Sequence, residues 1–310
     1  MAKYLVTGGA GFIGSHLAKA LLAKGNEVMV LDNLSTGRRD KVPNGAHLVV
    51  GDILDSTLVQ ELMANVDGCF HLAAIASVQR SVEDWSGTHR VNLTGTINLL
   101  DAARNARLPV IYASSAAVYG DQKRFPIVED ATKVPSTAYG ADKLACELHA
   151  AVAGATFGVP TAGFRFFNVY GPGQDPHSPY SGVISVFAER LARNQPITIF
   201  GDGRQVRDFV HVSDVVRHLI AALDAAAPSA PVFNVCTGQP TSIEQLARLM
   251  RGLLGSRSEI VMAPARAGDI RVSLGSPRRA TDALGIAASC QIEEGLGWLV
   301  AESAEVALAA

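Results

Sequence analysis

Near its start the chain carries a short apolar run, residues 4–7, that leads at once into Gly8-Gly9-Ala10-Gly11-Phe12-Ile13-Gly14. No other stretch narrows the possible fold so far. The glycines satisfy two spacings together, Gly9-x-Gly11-x-x-Gly14 and Gly8-x-x-Gly11-x-x-Gly14. Glycine at these places permits a tight turn and lets main chain approach a pyrophosphate, and a following helix offers its free N–H groups to the same anion. Alone, a glycine-rich turn would say little. Here it follows a strand, opens a helix and has Asp32 at the end of the next apolar run. An acid at that place accepts hydrogen bonds from the adenosine ribose and repels a 2′-phosphate, which predicts NAD rather than NADP. Arg38 and Arg39 are a partial counterweight, since either could reach a phosphate. Asp52, just after the run 48–50, is placed either to bond the adenine amine or to cap a helix.

The rest of the chain extends that start into an α/β fold. Apolar runs at 28–31, 48–50, 68–72, 110–114 and 161–166 alternate with amphipathic stretches at 16–24, 57–65, 94–105 and 141–156. This order predicts a Rossmann-like, doubly wound parallel sheet with helices on both faces. Residues 168–180 are rich in Gly, Pro, Asn and Asp and read as a long loop. Beyond it come a helix at 183–193, strands at 197–200 and 206–210, a helix at 213–224 and a strand at 232–235. From 241 onward short helices and one strand near 259–262 are expected. The division that follows is a cofactor domain, 1–167 with 209–236 returning to it. A smaller, discontinuous C-terminal substrate lobe is made from 168–208 and 237–310.

Composition removes several alternatives. With 310 residues, 48% of them hydrophobic, the chain has material for a large core, and its net charge of −2 gives no reason to expect a nucleic-acid partner. Cys69, Cys146, Cys236 and Cys290 are scattered and form no Cys-x-x-Cys pair, so neither a metal site nor a disulfide framework is expected. Met1-Ala2-Lys3 runs straight into the glycine loop, and the tail 301–310 is too short and too charged to span a bilayer. A cytoplasmic protein without membrane partners is the expectation.

The chemistry is announced further on. Tyr139 and Lys143 are one helical turn apart and share a face. A free phenol has a pKa of about 10 and is no base near neutrality, but an adjacent ammonium and a cationic nicotinamide both favour phenolate. Val110-Ile111-Tyr112-Ala113-Ser114-Ser115 is an apolar strand ending in two serines, and ligands of such sheets bind beyond the carboxyl ends of strands. A serine there can hydrogen-bond a substrate oxygen whose proton is moving.

With these segments in view, the chain resembles the extended short-chain dehydrogenase/reductase family, and within it the UDP-sugar 4-epimerases. The resemblance rests on the glycine loop, His71-Leu72-Ala73-Ala74, Asn92, Ser114 to Gly120, Tyr139-x-x-x-Lys143 and Arg165-Phe166-Phe167-Asn168-Val169-Tyr170-Gly171-Pro172. It implies Ser115, Tyr139 and Lys143 as the catalytic group. For NAD it implies Gly8, Gly11, Phe12, Ile13, Gly14, Asp32, Asn33, Asp52 and Ile53. It adds Leu72, Ala73, Ala74 and Phe166, with Asn92 beneath the active-site helix. For a UDP-sugar it implies Ser77 and Ser115 among the substrate-binding residues, with Asn168, Arg207 and Arg266 on the diphosphate. Asp269 is then placed on the ribose, and Thr198 and Phe200 beside the uracil. Arginine suits a diphosphate because its planar fork makes paired charged hydrogen bonds. Ser273 stands where epimerases restricted to UDP-glucose and UDP-galactose carry a bulky residue, typically tyrosine, so its small side chain points to 2-acetamido sugars. Related dehydratases carry an acidic pair after the strand-end serine or threonine. Here Ala116 and Ala117 occupy those places, which argues against water loss. UDP-glucuronate epimerases and decarboxylases begin with the same oxidation at C4 and stay open. A homodimer is expected, joined through the helical stretches 94–105 and 141–156.

Overall fold

The computed structural model describes residues 1–176, 182–266 and 268–299. The tail 301–310, Ala267 and the far end of the loop expected at 168–180 lie outside the described residues. In chain order the strands are β1 (Lys3–Thr7), β2 (Glu27–Asp32), β3 (His47–Val50), β4 (Gly68–His71), β5 (Val110–Ser115), β6 (Thr161–Phe166) and β7 (Asn168–Tyr170). They continue with β8 (Ile197–Phe200), β9 (Val206–His211), β10 (Val232–Val235), β11 (Pro240–Ser242), β12 (Ile260–Ala263) and β13 (Val272–Ser273). Seven of them make one parallel sheet in the order β10-β6-β5-β4-β1-β2-β3.

The two-sided burial of this sheet follows from its sequence. Along β1 and β2, Val6, Val28 and Val30 join the core on one face, while Leu5, Met29 and Leu31 join the core on the other. The first core is closed by Leu17 and Leu21 of helix Phe12–Ala23 and by Val215 and Leu219 of helix Val212–Ala225. The second is closed by Val59 and Met63 of helix Ser56–Met63 and by Leu99 and Leu100 of helix Gly95–Ala103. This is a Rossmann-like α/β fold. The chain winds outward through β2 and β3, then returns to start β4 on the opposite side of β1. Between β1 and β4 the connections leave in opposite directions, and a crevice opens there at the carboxyl ends of the strands.

Helix Ala138–Phe157 lies against β5 and β6. Thr137 caps it by accepting a hydrogen bond from the Gly140 N–H at 3.1 Å, and Gly158 ends it in the left-handed conformation, φ 70°.

Two small sheets stand beside the main one. In the first, β9 pairs with β7, β11 and β13; in the second, β8 pairs with β12. Two expectations are corrected here. The run 168–180 is not all loop, because Asn168–Tyr170 forms β7, and the region after 241 holds more than one strand. The strands missed are two or three residues long, too short to show an alternating pattern.

Candidate active site

The crevice is a cavity of about 510 Å³, within the range that takes a small-molecule cofactor. At its floor the glycine loop does what its spacing predicts. Gly8 has φ +69°, and a Cβ on it would stand 2.7 Å from the Ala73 main-chain nitrogen, so the loop and the end of β4 touch directly. A Cβ on Gly14 would run into the Gly8 carbonyl. Helix Phe12–Ala23 starts at Gly11 with no side-chain cap and no acid in its first turn, so its leading N–H groups remain available to a pyrophosphate.

Asp32 is buried at the end of β2, its two oxygens accepting hydrogen bonds from the Ala10 N–H at 3.0 Å and the Leu34 N–H at 2.8 Å. Each carboxylate oxygen has a second lone pair, so a ribose can still be held. Asn33 donates to Asp52 at 2.9 Å, and Asp52 also accepts the Leu54 N–H. Arg38 is engaged with Asp40 in a two-point pair at the surface, which draws it away from service as a 2′-phosphate ligand. Gly8, Gly11, Phe12, Ile13, Gly14, Asp32, Asn33, Asp52, Ile53, Leu72, Ala73, Ala74 and Phe166 all line the cleft, as do Ser115, Tyr139 and Lys143. The residues therefore fit a dinucleotide.

Lys143 is buried and its ammonium donates to the Ala113 carbonyl at 2.8 Å, with Nζ 6.0 Å from the centre of the Tyr139 ring. Ser115 ends β5, and its Oγ accepts the Ala117 N–H at 3.1 Å. Behind them His71 is locked between two threonines, Nδ1 to Thr7 Oγ1 at 2.8 Å and Nε2 to Thr96 Oγ1 at 3.0 Å. Thr96 donates its own proton to the Asn92 carbonyl, so Nε2 of His71 must carry the hydrogen. Burial, and then the charge of Lys143, push His71 down to about 3, so it stays neutral in the working range.

Two expected site residues stand behind the wall rather than in it. Asn92, fully buried in a π-turn, holds both main-chain groups of cleft-lining Ile75, at 2.8 and 3.0 Å. Ser77 caps helix Val78–Glu83 through the Arg80 N–H. Sequence reasoning missed Gly37, which lies against the Asp32 carboxylate, and Lys41, whose ammonium donates to the Gly173 carbonyl at 2.8 Å along the rim. It also missed Phe167, Gln174 and Asp175. Phe167 could have been found beside Phe166; the others sit in polar loops with no pattern to mark them.

The expected diphosphate and nucleoside residues lie on the small sheets or, for Arg266 and Asp269, in the segment between β12 and β13. Arg207 of β9 donates to Asp269 at 2.6 Å and to the Ile270 carbonyl at 2.7 Å. The Arg266 guanidinium lies 3.9 Å from the ring centre of Phe200, which shares β8 with Thr198. Ser273 of β13 is registered beside Arg207, and Asn168 of β7 beside Phe209. Two residues past Ser273, Gly275 packs so close to Phe167 that a Cβ would stand 2.6 Å from its ring. The Ser273 segment thus abuts the cofactor cleft.

Known proteins share this arrangement. The sequence model of the NAD dependent epimerase/dehydratase family matches residues 4–236. A UDP-glucose 4-epimerase of Mycolicibacterium smegmatis is 38% identical over 302 residues, 95% of this chain and 96% of that protein. The crystal structure of UDP-glucose 4-epimerase from Thermotoga maritima, with UDP-glucose, superposes with a TM-score of 0.95 at 35% identity. It covers 98% of this chain and 99% of the other. A UDP-N-acetylglucosamine 4-epimerase from Methanobrevibacter ruminantium, in complex with UDP-N-acetylmuramic acid, gives 0.94 at 32% identity with the same coverage.

Proposed function

The chain belongs to the NAD dependent epimerase/dehydratase family, and from that premise we propose that it inverts C4 of UDP-sugars, acting on the UDP-GlcNAc/UDP-GalNAc pair and also admitting UDP-glucose and UDP-galactose. The observation that carries the reading is the convergence of Ser115, Tyr139 and Lys143 on one dinucleotide cleft, with alanine, not an acid, at 116 and 117.

In this reading the Tyr139 phenolate takes the proton of the C4 hydroxyl, and Ser115 hydrogen-bonds the same oxygen as it becomes a carbonyl. Lys143, fixed by the Ala113 carbonyl, holds its ammonium in the same cleft, 6.0 Å from the centre of the Tyr139 ring. The cleft residues would hold NAD, which would supply the reversible hydride acceptor for C4, so that the keto sugar could be reduced on its opposite face. Tyr139 then gives the proton back. Arg207 and Arg266 hold the diphosphate, aided by Asn168, and Asp269 the ribose, while Thr198 and Phe200 flank the uracil and Ser77 adjoins the sugar. The pairing of Arg207 with Asp269 supports this, because the anchors for two adjoining parts of UDP already stand side by side. The proposed division has 1–167 and 209–236 binding NAD, and 168–208 with 237–310 binding the sugar nucleotide.

Because oxidation and reduction cancel over one turnover, purified protein should convert UDP-GlcNAc to UDP-GalNAc with no added NAD. The panel should include UDP-glucose, UDP-galactose and UDP-glucuronate, with products separated by chromatography. Conversion of UDP-glucuronate alone would replace the substrate proposed here, and a stoichiometric need for NAD would replace epimerisation by net dehydrogenation.

The same reading includes a cytoplasmic homodimer. Among the described residues no helix is long and apolar enough to cross a membrane. Ala103, Ala150 and Ala153, small residues of the two helical stretches expected to join the dimer, are buried within the subunit. Exposed apolar side chains on helices that pack together include Val82, Trp85, Leu148 and Val152, with Trp85 68% exposed. Light scattering should give the mass of two chains; a single-chain mass at micromolar concentration removes the dimer.

A further inference from the structure

Three of the residues assigned to catalysis or to NAD each have a neighbour, in sequence or by one helical turn, that enters a single buried cluster. Ser114 precedes Ser115 on β5, Arg165 precedes Phe166 on β6, and Glu147 follows Lys143 by one turn of helix Ala138–Phe157. The Ser114 hydroxyl donates to Glu147 Oε1 at 2.6 Å. The Arg165 guanidinium grips the same carboxylate with two bonds, Nε to Oε1 at 2.8 Å and Nη2 to Oε2 at 2.6 Å. Its remaining terminal nitrogen donates to the Tyr119 hydroxyl and to the Glu129 carbonyl, each at 2.8 Å. Tyr119 closes the short helical turn that begins after Ser115, and it passes its proton to Asn234 of β10 at 2.6 Å. Ser114, Glu147 and Arg165 are all buried.

We propose that Glu147 is a positioning residue for the epimerase reaction, fixing helix Ala138–Phe157 at the height that places Tyr139 and Lys143 against Ser115. The inference rests on the assignment of those three residues made above. Its logic is geometric. Lys143 bonds the main chain of Ala113, and Glu147, four residues on, bonds the side chain of Ser114. Successive residues of β5 are thus pinned by successive turns of one helix face. Two pins fix both the slide and the roll of a helix on a strand, which one pin cannot. A buried ion pair adds little net stability over an apolar pair of similar volume, because desolvation offsets most of the attraction. A planar fork on a carboxylate, by contrast, tolerates little displacement. An error of about 1 Å in a catalytic group can slow turnover by roughly a hundredfold.

Glu147→Asp keeps the negative charge beside Arg165 but withdraws it by one methylene, so the carboxylate cannot reach Ser114 and both guanidinium nitrogens with the helix in place. We expect kcat to fall roughly tenfold to a hundredfold, with bound NAD and the KM for the UDP-sugar changed less than about threefold. A purely structural role would instead make any loss follow thermal stability and vanish in assays well below the melting point. Glu147→Gln/Arg165→Met removes both charges and leaves none unpaired; it should fold, hold NAD and show the same fall in kcat. Wild-type kcat in either folded variant overturns the proposal. Should neither yield folded protein, Ser114→Ala decides, since it deletes one bond and leaves the ion pair: kcat at least threefold lower supports positioning, and unchanged kcat overturns it. Tyr139→Phe, assayed alongside, separates the two claims. If it is active, the site assignment itself fails; if it is inactive while folded Glu147→Asp is fully active, only the positioning role fails.

Discussion

Tyr139→Phe is expected to leave NAD bound and to lower kcat by a factor on the order of 100 to 10,000, the usual worth of a positioned acid–base group. The ring is retained, and with it the contact to Lys143, whose nitrogen lies 6.0 Å from the ring centre. Lys143 itself is held by the Ala113 carbonyl, not by the phenol, so its place in the cleft does not depend on the hydroxyl being removed. The glycine loop, Asp32 and the Asp52–Asn33 pair are on other elements and are untouched. Absorbance of released dinucleotide after denaturation measures NAD content, and product chromatography measures turnover. Loss of NAD together with activity would mean that the change damaged the cleft. Activity within a few fold of wild type would remove Tyr139 as the base.

The parts of this protein that could be read from its sequence are those where one physical demand acts on many adjacent residues. The inner strands of the main sheet, such as β1, β4 and β5, are largely buried on both faces and show as mostly apolar runs, and their alternation with helices points to a parallel order. The glycine loop was legible because contact between Gly8 and Ala73, and between Gly14 and Gly8, excludes every larger side chain. Where the demand falls on single residues the reading thinned out. Strands β7, β11 and β13 exist because β9 offers them hydrogen-bonding edges, a fact of tertiary structure that two or three residues do not record. Lys41 and Gln174 reach the cleft from polar segments far apart in the chain, so nothing local marks them. Asn92 and Ser77 carry a local duty that their sequence positions do not announce: Asn92 holds the main chain of Ile75, and the Ser77 hydroxyl accepts the Arg80 N–H. Asp32 shows both layers together, an acid proposed for the ribose by its place in the motif and a clamp for Ala10 and Leu34 by its bonds.

Ser273→Tyr is expected to remove activity on UDP-GlcNAc and UDP-GalNAc while sparing UDP-glucose and UDP-galactose. Ser273 is half-buried on β13, registered beside Arg207, the proposed diphosphate ligand. The segment cannot drift away to make room. The Leu274 carbonyl accepts the Ile127 N–H at 2.8 Å, and Gly275 is held between Phe167, Cys236 and the Asp208 carboxylate. In the proposed reading Ser273 frames the pocket at the sugar's 2-position, so a tyrosine ring on so fixed a strand would fill the volume that the acetamido group needs. Overpacking costs about 1–3 kcal/mol or more, and at about 1.4 kcal/mol per tenfold change the loss on the acetamido sugars should be roughly tenfold or greater. The hydroxyl sugars supply the control, because misfolding would lower both classes alike. Kinetics on the four substrates, with NAD content as the check on the fold, would measure the difference. Equal loss on both classes, or none on either, would mean that Ser273 does not set the sugar. The preference for 2-acetamido substrates would then lose its main support, while the epimerase chemistry at Ser115, Tyr139 and Lys143 would be unaffected, since none of those residues depends on β13.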